Sequence, residues 1–143
     1  MTDSNNMQQI KAIEAVLFDY ATVLDNKDYA SLANIFTKDA QVEYVGIDKC
    51  VGPDQIQALV STILDKCAAT QHIISNVIIN VKGETAEASC YLQGVHVGIG
   101  DHEGEIMTAW GQYIDELILS DGQWLISKRQ LRFFGTQGDI GLL

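Results

Sequence analysis

The stretch HIISNVIINVKGETAEASCYLQGVHVGIG, residues 72–100, decides the fold. On both sides of Gly83-Glu84, β-branched and other apolar residues alternate with polar ones, which is typical of two antiparallel strands joined by a tight turn. Gly94 and Gly98 interrupt the second strand, and glycine within a strand permits bulges and bends. The stretch therefore predicts a long, curved β-hairpin.

A second hairpin follows in EIMTAWGQYIDELILSDGQWLISKRQLRFFG, residues 105–135. Its centre is Asp121-Gly122, and this dipeptide between alternating apolar residues is a strong hairpin signal. The segment GDHEGE, residues 100–105, joins the two hairpins as a further turn. A third glycine, Gly111, interrupts the first strand of this hairpin. The second half of the chain therefore predicts a curved, meandering antiparallel sheet of four long strands.

The first half of the chain has the periodicity of helices. A first helix presents one apolar face, made of Ile10, Ile13, Leu17, Tyr20 and Leu24. A short helix over residues 28–36, a strand over residues 38–46 and a helix that begins at Gly52-Pro53 are predicted next. Helices followed by a sheet predict an α+β fold, with the helices packed on one face of the sheet. A curved sheet over helices forms a cone with an internal pocket.

Composition and charge exclude several classes of protein. A chain of 143 residues with 47% hydrophobic residues suits one globular domain, residues 1–143. The formal net charge of −10 argues against nucleic acid and acidic membrane surfaces as partners. The beginning of the chain, MTDSNNMQQIK, lacks the features of a secretory signal, and the three cysteines contain no CxxC pair. We therefore expect a cytoplasmic protein with reduced thiols. The three histidines have no metal-binding spacing, so neither a metal nor another cofactor is expected.

Three polar residues stand where chemistry could take place. Tyr20 lies on the apolar face of the first helix, Asp25 at the end of that helix, and His72 at the mouth of the first long strand. A carboxylate beside an imidazole fixes the ring tautomer and stabilises the imidazolium, so that the other ring nitrogen can act as a base. Each residue also has an ordinary interpretation, as a helix cap, a core histidine or a core tyrosine. Periodicity alone does not show that Asp25 and His72 touch.

The sequence resembles a known family in three stretches. YATVLDNKDYASLANIFTKDAQVEY at residues 20–44, TQHIISNVIINVKGETAEASCYL at residues 70–92 and GQYIDELILSDGQWLISKR at residues 111–129 are similar to the SnoaL-like branch of the nuclear-transport-factor-2-like superfamily. The resemblance extends over about residues 10–134. It implies a cone-shaped, cystatin-like α+β barrel with an internal pocket, in agreement with the periodicity.

The resemblance also implies a catalytic site. Dehydratase and dehydrochlorinase members of the superfamily remove a proton with an Asp–His pair, which the shared motifs place at Asp25 and His72. Tyr20 matches a tyrosine of one such dehydratase. The resemblance further implies an arginine on the last strand, where Arg129 and Arg132 are both available. Because residues three apart on a strand face opposite sides, only one can enter the pocket. The resemblance favours Arg129, because the alignment that selects it needs no gap, whereas the alignment that selects Arg132 needs a gap of one residue.

Further residues are predicted to form the walls of the pocket. Alternation along the third long strand puts Met107, Ala109, Gly111 and Tyr113 on one face, where the small residues leave room for a ligand. His96 is a weaker match to a second histidine used by one member of the family. The predicted substrate-binding residues are Tyr44, Met107, Tyr113, Trp110, His96, Arg132 and Phe36. The alternative is ordinary packing of a sheet on helices.

Together these features predict a cofactor-independent lyase or isomerase, dehydratase-like, that acts on a small hydrophobic and cyclic substrate. Two alternatives remain open at this point: a polyketide-type cyclase or hydrolase of the same fold, and a non-catalytic domain for ligand binding or subunit association. An Asp25–His72 contact beside an enclosed cavity would favour the enzyme. The apolar outer face of the sheet predicts a contact between subunits. The resemblance implies a homodimer, with a trimer as the alternative.

Overall fold

The computed structural model describes residues 3–142 and has the predicted α+β architecture. Two α-helices, two short 3₁₀ helices and six strands follow one another along the chain. The α-helices are α1 (Asp3–Asp25) and α2 (Gly52–Leu64), and the 3₁₀ helices are Tyr29–Asn34 and Gly100–His102. The strands are β1 (Phe36–Tyr44), β2 (Asp48–Val51), β3 (Cys67–Lys82), β4 (Thr85–Gly98), β5 (Ile106–Ser120) and β6 (Gln123–Gln137). Among these residues no helix is both long enough and apolar enough to cross a membrane.

The six strands form one curved, unclosed sheet in the order β2-β1-β6-β5-β4-β3. Strands β3 to β6 form the predicted antiparallel meander. The sheet is nevertheless mixed, because β1 pairs with β6 in parallel, with Val42 opposite Arg129. The antiparallel meander of four long strands is thus confirmed, whereas the parallel pairing of β1 and the short strand β2 were not predicted. Local alternation identifies a strand but does not determine which distant strand it pairs with.

Turn chemistry and bulges set the register and the bend of the sheet. Asp121 and Gly122 both have positive φ, 50° and 79°, as a two-residue hairpin turn with this twist requires. The register of β5 against β6 shifts at Gly111, one of the glycines predicted to bend the sheet. A second irregularity lies in β3 around Asn76, whose φ is 51°. The sheet therefore curves at more places than its glycines indicate.

The main core lies between α1 and the concave face of the sheet. Ile13, Leu17 and Tyr20 project from α1 and are at most 1% exposed. Opposite them, alternate residues of β4 are buried and mostly small: Ala86, Ala88, Cys90 and Leu92. Small side chains at these positions allow the helix to approach the sheet closely. The packing fixes the C-terminal end of α1, and with it Asp25, against the beginning of β3.

Candidate functional site

A cavity of about 290 Å³ opens between the C-terminal half of α1, α2 and the inner face of the sheet. Its wall is mostly apolar and contains no Asp, Glu, Lys or Arg side chain from the described part of the chain. The lining residues are Tyr20, Leu24, Tyr44, Val45, Gly46, Ile47, Val60, Ile63, Leu64, His72, Leu92, Gly94, His96, Met107, Ala109, Tyr113, Leu131, Phe133, Thr136 and Leu142. Within residues 3–142, no three His, Cys, Asp or Glu side chains cluster as a metal site would require.

Asp25 and His72 are in direct contact at the edge of this cavity. The ring Nδ1 of His72 lies 2.6 Å from Asp25 Oδ1, and the backbone N–H of His72 donates to Oδ2 over 3.0 Å. The Thr70 hydroxyl donates a third hydrogen bond to Oδ1 over 2.9 Å. Because a carboxylate only accepts, Nδ1 carries the proton and the neutral ring keeps its lone pair on Nε2. His72 lines the cavity, whereas Asp25 lies behind it, outside the cavity wall.

The surroundings of Asp25 keep its carboxyl group ionised. Burial by itself would raise the pKa, but the hydrogen bonds from the ring and backbone of His72, together with that from Thr70, outweigh it. The pKa of Asp25 is therefore lowered. A carboxylate that is ionised at neutral pH, beside the imidazole, is the arrangement that orients a histidine and stabilises its protonated form.

Acid should selectively weaken this contact. A carboxyl whose folded pKa is depressed contributes stability that is complete above its ordinary value, about 3.9, and is lost as pH falls through the folded value. The difference in unfolding free energy between the wild type and Asp25→Asn is therefore expected to narrow below about pH 4. Urea unfolding of both proteins from pH 2.5 to pH 6 measures it. A difference that stays constant over this range would contradict the expectation.

His96 stands beside His72 on the same wall. The two rings meet edge to face with their centroids 5.7 Å apart. Nδ1 of His96 lies 3.2 Å from the carbonyl oxygen of Met107, so Nδ1 carries the proton and Nε2 is an acceptor. Burial, and next the proximity of His72, lower the pKa of His96. The cavity therefore contains a second, neutral imidazole.

Gly94 makes room for both rings. It is the register partner of His72 across β3 and β4. A Cβ atom at Gly94 would lie 3.1 Å from Cε1 of His96 and 3.5 Å from Cδ2 of His72. The first distance is too short for an undisturbed contact, so one or both imidazoles would have to shift.

We expect Gly94→Ala to displace the histidines and to cost about 1–3 kcal/mol of stability, the usual range for overpacking. The displacement is measurable as a change in the imidazole nitrogen and proton NMR signals of His72 and His96. Gly135→Ala is the matched control, because a Cβ atom there meets nothing within 4 Å. Unchanged histidine signals in Gly94→Ala would show that the rings have more freedom than the geometry indicates.

Three tyrosines form another part of the cavity wall, called the tyrosine wall below. The hydroxyl oxygens of Tyr20 and Tyr44 lie 2.7 Å apart, and either can be the donor. The edge of Tyr113 packs against Tyr20 with ring centroids 5.7 Å apart. Burial raises the pKa of all three phenols, so they stay protonated. One hydroxyl proton is used between Tyr20 and Tyr44, which leaves the proton of the accepting hydroxyl available to a ligand.

The two candidate arginines lie on opposite sides of β6, as residues three apart should. Arg132 is exposed on the outer side and does not touch the cavity, so its predicted role in substrate binding was wrong. Arg129 faces the interior and is 1% exposed, yet it does not line the cavity either. Its guanidinium carbon lies 4.5 Å from the ring centre of Tyr20 and 3.9 Å from that of Tyr113. The rings of Tyr20 and Tyr113 therefore lie between Arg129 and the cavity, where Arg129 was predicted to contact a ligand directly.

Two more predicted wall residues lie elsewhere. Phe36 is buried in the core, where it packs edge to face on Tyr20, and it does not reach the cavity. Trp110 is 37% exposed on the outer face, because even-numbered residues of β5 point away from the helices. The remaining predicted wall residues, Tyr44, Met107, Tyr113 and His96, do line the cavity.

Sequence reasoning missed part of the wall. Leu24 and Leu64 line the cavity and belong to the apolar stripes of the two α-helices. These stripes were visible in the sequence, and they could have indicated the two residues because both stripes end near the cavity. The turn at residues 45–47 and Leu142 also line it. Leu142 packs with Cys67 and Ile140, a contact that no local pattern indicates.

Comparison with known proteins assigns the family. A family model described as a SnoaL-like domain matches residues 5–130. The chain belongs to the SnoaL-like family. Uncharacterized proteins of Mycobacterium tuberculosis and Mycobacterium bovis are 25% identical to this SnoaL-like protein over 118 residues, which is 82% of this chain and 80% of each relative.

Solved structures share the fold over nearly the whole chain. A provisionally assigned scytalone dehydratase of Novosphingobium aromaticivorans is 28% identical, with a TM-score of 0.87, and the match covers 96% of this chain and 92% of that one. The hexachlorocyclohexane dehydrochlorinase LinA-type3 of Novosphingobium barchaimii is 20% identical, with a TM-score of 0.85 and coverage of 98% and 96%. At that lower identity the likeness concerns the fold.

Proposed function

We propose that this SnoaL-like protein is a cofactor-independent lyase or isomerase. In this proposal His72 removes a proton from a carbon atom next to the carbonyl group of a small, cyclic, apolar substrate. The observation that carries the proposal is the Asp25–His72 contact at 2.6 Å beside an apolar cavity. The relatives described as a dehydratase and a dehydrochlorinase support an enzyme that processes small molecules.

Proton removal would use the free nitrogen of His72. Nε2 takes the proton, while the Asp25 carboxylate holds Nδ1–H and stabilises the imidazolium that forms. A positioned base of this kind contributes about 10²- to 10⁴-fold to a rate. The apolar wall keeps the dielectric constant low, which strengthens the interaction of the new positive charge with Asp25.

The tyrosine wall would stabilise the negative charge that develops on the carbonyl oxygen. The Tyr20–Tyr44 pair has one hydroxyl proton that is not used between the two residues, and this proton would be donated to the developing oxyanion. Both hydroxyls are buried, so water does not compete strongly for this bond. The base and the acid of the reaction would thus come from different walls of one cavity.

Departure of the leaving group completes the reaction. In a dehydration, the C–H electrons form the new C=C bond, the C–O bond breaks, and the proton held by His72 leaves with the hydroxyl group as water. In an isomerisation, His72 returns the same proton to another carbon atom. The neutral imidazole of His96 can accept a hydrogen bond from a substrate hydroxyl group through Nε2. The resemblance favours dehydration over loss of a halide, because a dehydrochlorinase of the superfamily has a lysine where this chain has Tyr20.

The size and charge of the cavity restrict the substrate. A volume of about 290 Å³ is roughly twice that of the ~150 Å³ cavity that binds benzene, so two fused six-membered rings would fit. No charged side chain of the described residues lines the wall. Burying an unpaired charge is costly, and the site therefore favours an uncharged ligand over a carboxylate or an amine.

The proposal is tested by hydrogen–deuterium exchange at the α-carbons of 2-tetralone in D₂O, followed by NMR. This bicyclic ketone has no leaving group, so the measurement isolates proton removal. We expect faster exchange with the wild type than with buffer, and an equal rate with His102→Ala, whose imidazole lies in the exposed loop between β4 and β5. A screen of bicyclic β-hydroxy ketones for enone absorbance then separates dehydration from isomerisation. Binding of 2-tetralone without exchange would favour a non-catalytic binding protein. A cyclase would be favoured if the protein did not exchange 2-tetralone but closed a linear polyketone into a ring.

We further propose that the outer face of the sheet pairs two copies of the chain. Its exposed apolar residues are numerous: Ile73, Ile78, Tyr91, Ile114 and Phe134 are between 39% and 69% exposed. Light scattering is expected to give twice the 15.7 kDa mass of the chain, and Tyr91→Glu combined with Phe134→Glu should restore the monomer mass. These two rings touch each other on this face. A threefold mass would indicate a trimer, and a monomeric wild type would contradict the pairing.

A further inference from the structure

A completely buried ion pair lies behind the tyrosine wall. Arg129 donates from Nε and Nη2 to the two carboxylate oxygens of Asp115, over 2.7 and 2.8 Å, and neither side chain is exposed. The two residues are register partners on β5 and β6. A buried pair of this kind is often no more stabilising than apolar residues of the same volume. Its position in the core therefore suggests a role other than stability.

The guanidinium of Arg129 is directed at the tyrosines as well as at Asp115. Its central carbon lies within 4.5 Å of the ring centres of Tyr20 and Tyr113, which is cation–π distance. The third nitrogen, Nη1, is buried and has no hydrogen-bond partner among the described residues. The guanidinium group thus leaves one hydrogen bond unmade while it packs against both rings. An unmade hydrogen bond reduces the stability that the ion pair contributes, whereas the packing holds the two tyrosine rings in place.

We infer that Asp115 and Arg129 are positioning residues: they hold Tyr20 so that its hydroxyl meets that of Tyr44 at the cavity, and the Arg129 charge makes this hydroxyl pair a stronger donor to a substrate oxygen. The inference rests on the proposed function, in which such an oxygen becomes negative. Arg129 acts through Tyr20 and does not touch the substrate. Asp115 fixes the plane of the guanidinium through two parallel hydrogen bonds.

The electrostatics of Tyr20 agree with this role. Burial raises the pKa of Tyr20, and the charge of Arg129 is the largest influence that opposes this rise. A phenol made more acidic by a nearby cation gives a stronger hydrogen bond to an anion. His72 and His96 also face the cavity, but they would be the same in every variant used below, so differences between variants report on the tyrosine wall.

The test removes both charges together. Removing one partner would leave the other charged and unpaired in the core, which is strongly destabilising, whereas Asp115→Leu with Arg129→Met replaces the pair by apolar side chains of comparable length. Glu116→Gln with Lys128→Gln is the matched control. Those two residues pair on the same two strands, one position away and on the outer face, at 3.9 Å.

The probe is 2-naphthol, a bicyclic phenol whose neutral and ionised forms have different fluorescence. Bound to the wild type, it is expected to ionise at a lower pH than when bound to Tyr20→Phe, because the Tyr20–Tyr44 pair donates to the naphtholate oxygen. In Asp115→Leu/Arg129→Met we expect at least a tenfold loss of this stabilisation, a shift of about one pH unit. Tyr20→Phe should give a similar loss, and the combination of all three substitutions no further loss. The surface control should behave like the wild type.

Several results would overturn the inference: naphthol that ionises at the same pH when bound to the wild type and to Tyr20→Phe, ionisation unchanged by the paired substitution, or losses that add to those of Tyr20→Phe. Arg129→Lys provides a second variant should the paired one fail to fold, because lysine keeps the charge beside Asp115 but lacks a flat group to lie between the rings. We expect ionisation intermediate between the wild type and Tyr20→Phe, and wild-type behaviour would contradict the inference. If the naphthol results are as expected but the protein does not accelerate the exchange of 2-tetralone protons, only the proposed reaction would be contradicted.

Discussion

Replacing His72 by alanine is expected to slow the exchange of 2-tetralone protons by about 10²- to 10⁴-fold, the usual contribution of a positioned base. The substitution removes the only imidazole that contacts Asp25 among the described residues, and with it the Nε2 lone pair. The fold should remain intact, because the backbone N–H of His72 and the hydroxyl of Thr70 continue to hold the Asp25 carboxylate. Exchange rates and thermal unfolding, measured on the same samples, separate the two effects.

Two comparisons make this result specific. His102→Ala removes a histidine from an exposed loop and should leave exchange unchanged. Asp25→Asn keeps the His72 ring but removes the charge that stabilises its protonated form, so its exchange rate should fall between those of the wild type and His72→Ala. Exchange that persists in His72→Ala at the wild-type rate would refute the role of this histidine as the base.

The parts of the site that sequence could predict are those that local patterns and shared motifs determine. Helical periodicity ends the first helix at Asp25, as the structure shows. Strand alternation predicts a first long strand that opens at His72, whereas β3 begins five residues earlier, at Cys67. Neither pattern brings the two residues together. Their contact was predicted from the resemblance of the motifs around them, and the structure places Nδ1 and Oδ1 at hydrogen-bond distance.

The parts that sequence could not predict depend on how far a side chain lies from the cavity and on contacts between segments that are far apart in the sequence. Alternation placed Arg129 on the inner side of β6, but it gives no measure of how far a side chain lies from a cavity. The rings of Tyr20 and Tyr113, contributed by α1 and β5, decide that Arg129 stays behind the wall. Trp110 was predicted as a wall residue against its own alternation, since its neighbours at odd positions face inward. The parallel pairing of β1 with β6 joins strands that are far apart in the sequence, and no local pattern encodes it.

Breaking the buried ion pair from one side is expected to have the largest effect on stability. Arg129→Met leaves the Asp115 carboxylate without either of its hydrogen bonds and wholly inaccessible to water, which should cost about 3–5 kcal/mol of unfolding free energy. The paired variant Asp115→Leu/Arg129→Met should lose far less, because no charge remains to be buried. Urea unfolding of the three proteins at pH 7 measures both values.

The pH dependence of stability should distinguish Arg129→Met from a variant that loses only packing. Protonation of the abandoned Asp115 carboxyl removes the buried charge, so Arg129→Met should regain part of its lost stability, relative to the wild type, as the pH is lowered from 7 to 4. The paired variant has no such carboxyl and should show no recovery of this kind. If instead both variants lost the same stability at every pH, the cost would arise from lost packing, and the charge of the pair would have no separate energetic role. An equal loss of stability combined with a changed naphthol response would still assign the pair to positioning Tyr20, since that response depends on the charge at the tyrosine wall and not on the stability of the fold.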